Sequence, residues 1–102
     1  MEIPVGPVEA IPEGGVKIVQ SGSLFVGVYR IDGDLYAIED RCSHDDGPLC
    51  EGEREGFCVI CPRHGAKFDI RTGAALTMPA TRPTKVHDVK VEGDEVLVRI
   101  KE

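Results

Sequence analysis

Apolar residues in this chain gather in short runs that alternate, or nearly alternate, with polar ones, and no helix-length window repeats them at i, i+3, i+4 and i+7. The pattern predicts strands. Leu24–Ile31 and Leu35–Glu39 flank Asp32-Gly33-Asp34, a hairpin turn of the Asp-Gly kind. Gly56–Ile60 is a short β-branched run, and Ala66–Ile70 leads into a turn at Arg71-Thr72-Gly73 and then Ala74-Ala75-Leu76. Thr84–Glu92 and Glu95–Ile100 flank a third hairpin turn at Gly93-Asp94. About six short strands joined by Gly-containing turns predict an all-β fold, an antiparallel sandwich or small barrel. Residues 40–56 and 61–65 break the pattern, being polar and rich in Gly and Pro, and residues 77–83 form a third loop stiffened by Pro79 and Pro83. The expected picture is a β base with loops projecting from one side.

Length and composition narrow this to one domain, because 102 residues leave no room for a second core of comparable size. With no Trp and only 2 Tyr and 3 Phe, the core must rest on Val, Ile and Leu. The N-terminal residues lack a basic segment followed by an apolar run, and nothing approaches the roughly 20 apolar residues that span a bilayer. The expectation is a cytoplasmic protein without membrane contact, whose cysteines stay reduced and serve metal before disulfides. A net charge of −6 speaks against nucleic acid and for a protein partner with a basic face.

All four cysteines and two of the three histidines fall within residues 41–68. The spacing is Cys42-x-His44, sixteen intervening residues, then Cys61-x-x-His64. Each half pairs one soft thiolate with one imidazole, close enough for a single turn to aim both at one centre. Structural zinc accepts such a mixture, although its sites usually pair like ligands within each half. A knuckle built on Cys58-x-x-Cys61 is weakened by strand alternation, which aims residues 58 and 61 to opposite faces. A 2Fe–2S cluster held by two cysteines and two histidines suits mixed halves, since each loop then gives one ligand to each iron.

The segments "CSH" and "CPRHG" resemble the signature of the Rieske iron–sulfur family, and the likeness extends to "VYRIDGDLYAIED", "AKFDIRTGAAL", "PATRP" and "VKVEGDEVLVRI". The resemblance implies a Rieske-type sandwich with a cluster-binding subdomain at about residues 40–68 and a proline loop at 77–83. It implies a 2Fe–2S cluster with Cys42 and Cys61 on the inner iron and His44 and His64 on the outer, through Nδ1. Two neutral imidazoles in place of thiolates raise the potential into a range of roughly −150 to +300 mV. High-potential members carry Ser and Tyr where this chain has Ala66 and Phe68, and a disulfide where it has Gly47 and Arg63. With Asp45 and Asp46 beside His44, these differences imply a potential near the bottom of the range.

A chain with room for neither a second iron domain nor a membrane anchor is similar to the free-standing ferredoxins of the family. The implied role is a one-electron carrier between a flavin-containing ferredoxin reductase and a terminal oxygenase, with no small-molecule substrate. A small subunit of an assimilatory nitrite reductase and a structural zinc module for protein interaction are the alternatives. No other catalytic set is visible, so an enzyme acting alone is not expected. Of the remaining residues, Cys50 reads as a free loop thiol and Cys58 as a small buried hydrophobe in a strand, with a Cys50–Cys58 bridge disfavoured. His87 reads as an exposed strand residue, Arg63 as solvated or in contact with a partner, and Glu51, Glu53 and Glu55 as a solvated acidic loop.

Overall fold

The computed structural model describes residues 2–41, 48–62, 65–78 and 82–101. Nine strands run in chain order: β1 (Glu2–Pro7), β2 (Val16–Ser21), β3 (Leu24–Ile31), β4 (Asp34–Glu39), β5 (Arg54–Glu55), β6 (Cys58–Ile60), β7 (Lys67–Asp69), β8 (Val86–Glu92) and β9 (Glu95–Arg99). Apart from one 3-10 turn at Val8–Ala10, the described residues form strands, turns and loops. Six strands make an antiparallel sheet in the order β1-β9-β8-β4-β3-β2, and β5-β6-β7 make a second, smaller one. The large sheet curls until its end strands meet, where Lys17 Nζ on β2 donates to the Val5 carbonyl oxygen on β1 (2.8 Å).

Turn chemistry sets the hairpins. Asp32 and Gly33 have φ of 53° and 83°, the pair of left-handed residues that a tight two-residue turn demands, so β3 and β4 pair from Ile31↔Asp34 to Val26↔Glu39. The β8–β9 hairpin closes at Glu92↔Glu95 around Gly93-Asp94. The two N-terminal strands, β1 and β2, were not among the expected elements. Ile3 and Val5 of β1 alternate inward between residues with poor strand preference, Pro4, Gly6 and Pro7, and the register with β9 shifts between Pro4 and Gly6.

The apolar run of β3 is continuous because both of its faces are covered. Val26 and Val28 point into the curled sheet with Ile3, Val5, Ile11, Ala37, Val96 and Val98. Tyr29 and Ile31 face the other way, into a second core shared with Leu49, Val59, Cys61, Ala66, Phe68 and Ile70. The second core joins the large sheet to the small one. Its outer edge is closed by Tyr36 and Phe57, packed edge to face with centroids 5.8 Å apart, and by the Arg71 guanidinium 4.3 Å from the Phe57 ring centroid.

Two expectations, for His87 and Cys58, are corrected by packing, and Cys50 gains a setting. His87 is buried, its side chain fully enclosed between β4 and the residues that follow β9. Its Nε2 lies 3.2 Å from Glu39 Oε1, and its Nδ1 accepts the Lys101 backbone N–H at 3.1 Å. Cys50 is the free loop thiol that was expected, and it is 1% exposed, seated over Gly27 where a Cβ would collide with its sulfur. Burial pushes its thiol up to about 12. Cys58 is half-buried rather than buried, because alternation on β6 turns Val59 inward and Cys58 outward. Both thiols are free. Within the expected acidic loop, Arg54 and Glu55 form β5, and Glu55 pairs with Lys67 at 3.2 Å.

Candidate metal centre

The sequence places one pair of donors on each of two loops, and the described residues on either side of those donors show how the fold holds the loops. Cys42 and His44 lie outside the described residues, as do Asp45, Asp46 and Gly47. Both stems of their loop are fastened. On the entering side, the Asp40 N–H donates to the Phe25 carbonyl (2.9 Å) and Thr84 Oγ1 donates to the Arg41 carbonyl (2.9 Å). On the returning side, the N–H groups of Leu49 and Cys50 both donate to Asp40 Oδ1, at 2.8 and 2.7 Å. One carboxylate oxygen therefore ties the return of the loop to its entrance.

The second loop leaves β6 at Cys61. Its N–H donates to the Ala66 carbonyl (2.7 Å) and its carbonyl accepts the Gly65 N–H (3.0 Å), so Cys61 is bonded to both residues on the returning side of the loop. Gly65 takes φ of 74°, which a side chain would disfavour. Cys61 is 1% exposed and belongs to the second core, while Pro62 and Gly65 are exposed. His64 and Arg63, between them, lie outside the described residues.

The two loops are tied to each other. Ile60 N–H donates to the Glu53 carbonyl (2.8 Å), and Gly52 sits so close to β6 that a Cβ there would overlap the Ile60 carbonyl oxygen. Residues 51–53 and 60–62 share an open groove of about 380 Å³ with Gly65. The third, proline-containing loop starts beside them: Leu76 N–H donates to the Lys67 carbonyl (2.7 Å) and Lys67 N–H to Thr77 Oγ1 (2.9 Å). It ends at Thr84, whose N–H donates to the Gly73 carbonyl (2.8 Å). Met78 is 74% exposed, Pro83 is exposed, and Pro79 lies outside the described residues.

Among the described residues no three His, Cys, Asp or Glu side chains converge as a metal site, since only Cys61 of the four expected ligands is among them. What is described fits a sulfur-bound cluster. Cys61 offers a soft donor shielded from water, and the flanking Ala66 and Phe68, both 0% exposed, present no oxygen that would draw a hard cation. The fold also excludes Cys58 from the same centre, because it faces away from the buried side of β6.

The description of the Rieske [2Fe-2S] domain matches residues 1–98. The chain belongs to this family. Its cofactor is the Rieske-type 2Fe–2S cluster, and the chain is a Rieske ferredoxin, an electron-transfer component rather than an enzyme in itself. A curated relative, the 3-phenylpropionate/cinnamic acid dioxygenase ferredoxin subunit of Shigella flexneri serotype 5b (strain 8401), is 36% identical over 97 residues, covering 94% of this chain and 91% of that one. The ferredoxin of carbazole 1,9a-dioxygenase from Nocardioides aromaticivorans IC177 superposes with a TM-score of 0.91 at 31% identity, covering 99% of both chains. A chain in a complex of reduced oxygenase and oxidized ferredoxin in carbazole 1,9a-dioxygenase matches with a TM-score of 0.89 at 34% identity, over 95% of this chain and 91% of that one. The expected all-β Rieske-type sandwich is the observed fold, and no helix among the described residues is long and apolar enough to cross a membrane.

Tyr29 and Asp40 were not among the residues expected to matter. Tyr29 is 2% exposed, and its hydroxyl has no hydrogen-bond partner among the described residues. Burial, with the neighbouring Cys50 thiol and Asp40 carboxylate, holds its pKa far above the ordinary phenol range. Asp40 had no motif to mark it, because its role depends on backbone groups nine and ten residues away.

Proposed function

We propose that Cys42 and Cys61 bind one iron of the cluster and His44 and His64 the other, within a subdomain of about residues 40–68 covered by the proline loop at 77–83. The observation that supports this most is the fastening of the two donor-bearing loops, through Asp40 and Thr84 on one and through Gly52 against Ile60 on the other. Rigid stems hold the donors in place through oxidation and reduction, so little reorganisation accompanies electron transfer. When bound, the cluster supplies one-electron chemistry with two protein ligands on each iron, leaving no coordination site for a substrate.

The role we assign is carriage of single electrons from a ferredoxin reductase to a terminal oxygenase in the cytoplasm. The names of the relatives support it, being ferredoxin components of dioxygenases that act on aromatic compounds. We place the potential near the bottom of the family range, because Ala66 and Phe68 are buried and neither has a hydroxyl to donate. Iron and acid-labile sulfide should titrate to two of each per chain, with red-brown colour. Cys42→Ala, His44→Ala, Cys61→Ala and His64→Ala should each abolish the reducible cluster. A single divalent ion per chain, or an intact cluster in any of these variants, refutes the ligand assignment.

A further inference from the structure

The loop that carries Cys42 and His44 leaves the large sheet at Arg41 and returns at Pro48. Here the stem is closed by a side chain rather than by a strand pair, since β4 ends at Glu39 and residues 48–50 form no strand. Asp40 Oδ1 takes two backbone N–H groups from the returning side, and both bonds are short (2.8 and 2.7 Å). Those donors belong to Leu49 and Cys50, which are 0% and 1% exposed, so neither N–H has water to fall back on. Asp40 is itself held by its own N–H on the Phe25 carbonyl. Leu49 and Cys50 then continue into Gly52, whose N–H donates to Leu49 (3.0 Å) and which packs on the Ile60 carbonyl beside Cys61. The chain of contacts thus runs from Asp40 through 49–52 to the stem of the second loop.

We propose that Asp40 is a positioning residue for the 2Fe–2S cluster, setting the distance between the two stems of the first ligand loop and, through residues 49–52, the placing of that loop against the second. What the role requires is an oxygen acceptor at this position; the negative charge is not needed for it. An Asn side chain keeps an acceptor of the same shape, whereas Ala leaves two buried N–H groups unpaired. Cys50 takes no part by its chemistry, because its buried thiol stays protonated. The inference rests on the assignment of Cys42 and His44 as ligands.

The test compares the cluster-loaded wild-type protein with Asp40→Asn and Asp40→Ala. The readouts are the half-life of the visible absorption in excess ferrous chelator and the line shape of the reduced cluster's electron paramagnetic resonance spectrum. Asp40→Asn should keep a half-life within about twofold of wild type and the same line shape. Asp40→Ala should lose its cluster at least tenfold faster and show broadened lines, reporting a spread of cluster geometries. Wild-type behaviour of Asp40→Ala on both readouts overturns the proposal. If Asp40→Ala does not fold, Asp40→Asn decides: tenfold faster loss or broadened lines in that variant overturns it, and wild-type values uphold it. Cys42→Ala, run in parallel, separates the two claims, because a cluster retained there refutes the ligand assignment whatever Asp40 does.

Discussion

Gly52→Ala is a single methyl group added where the stems of the two candidate ligand loops meet. Its Cβ would overlap the Ile60 carbonyl oxygen and press on Pro62 Cδ at 3.1 Å. Ile60 is the last residue of β6 and is paired to Lys67, so its carbonyl cannot swing away without disturbing the small sheet. Residues 49–53 must move instead, which strains the Gly52-to-Leu49 and Ile60-to-Glu53 hydrogen bonds. Two net hydrogen bonds contribute about 1 kcal/mol each, and overpacking typically costs about 1–3 kcal/mol more. The expected destabilisation is therefore about 3–5 kcal/mol, a large part of the total for a domain of this size. Thermal unfolding of the apoprotein by far-ultraviolet circular dichroism should show a fall in Tm of at least about 10 °C. Gly33→Ala is the control: it also places a methyl on a glycine, but with no atom within 4 Å, and pays only for its left-handed φ of 83°, about 1–2 kcal/mol. If the two variants melt together, or Gly52→Ala melts with wild type, the close approach of the loops does not support the fold as argued.

Ala66→Ser should raise the midpoint potential. It adds a donor at a buried position two residues from His64, and a hydrogen bond stronger in the reduced state by about 1 kcal/mol corresponds to roughly 40 mV for one electron. Protein-film voltammetry of both proteins measures this directly, and an unchanged or lowered midpoint counts against the low-potential reading. His87 should make stability fall in mild acid. Burial holds its pKa below the ordinary 6.5, opposed by the Glu39 carboxylate and assisted by Lys85 and Lys101. The unfolded chain therefore takes the proton first, so this contribution is complete above about pH 6.5 and is lost as pH drops from there towards the lower folded value. Urea unfolding of wild type and His87→Gln between pH 5 and 7.5 tests it: the wild-type midpoint should decline below pH 6.5 and the variant's should not. Equal slopes would remove His87 as the cause. Asp69, held down chiefly by its hydrogen bond with Arg71, acts only at lower pH, as its carboxylate protonates.

The features legible in the sequence were those set by neighbours a few residues apart. Hairpin turns at Asp32-Gly33 and Gly93-Asp94 follow from the backbone angles those residues tolerate. The continuous apolar run of β3 marked a strand, and alternation on β6 correctly set Cys58 on the face opposite Cys61. The spacing of Cys42, His44, Cys61 and His64 left zinc and a 2Fe–2S cluster open, and the resemblance of the segments around them to the Rieske family pointed to the cluster. β1 and β2 were missed because Pro4, Gly6 and Pro7 are poor strand formers and Lys17 breaks the apolar run of β2, and what makes β1 a strand is β9, about ninety residues away.

His87 looked exposed because a strand pattern cannot tell which face a second layer covers. Its burial depends on Glu39 and on the Lys101 backbone, which arrive from elsewhere in the chain. The burial of Cys50 was not legible because nothing local predicts that Gly27 leaves a space for its sulfur. Asp40 and Gly52 were not singled out for the same reason, since their partners are backbone groups that only the folded chain brings near. The candidate donors are thus a local property, carried by residue types at short spacing, whereas the fastening of the segments that flank them comes from contacts between distant parts of the chain. That division is physical: ligand identity and turn geometry depend on atoms within a few bonds, but the positions of two loops relative to each other depend on everything that holds both.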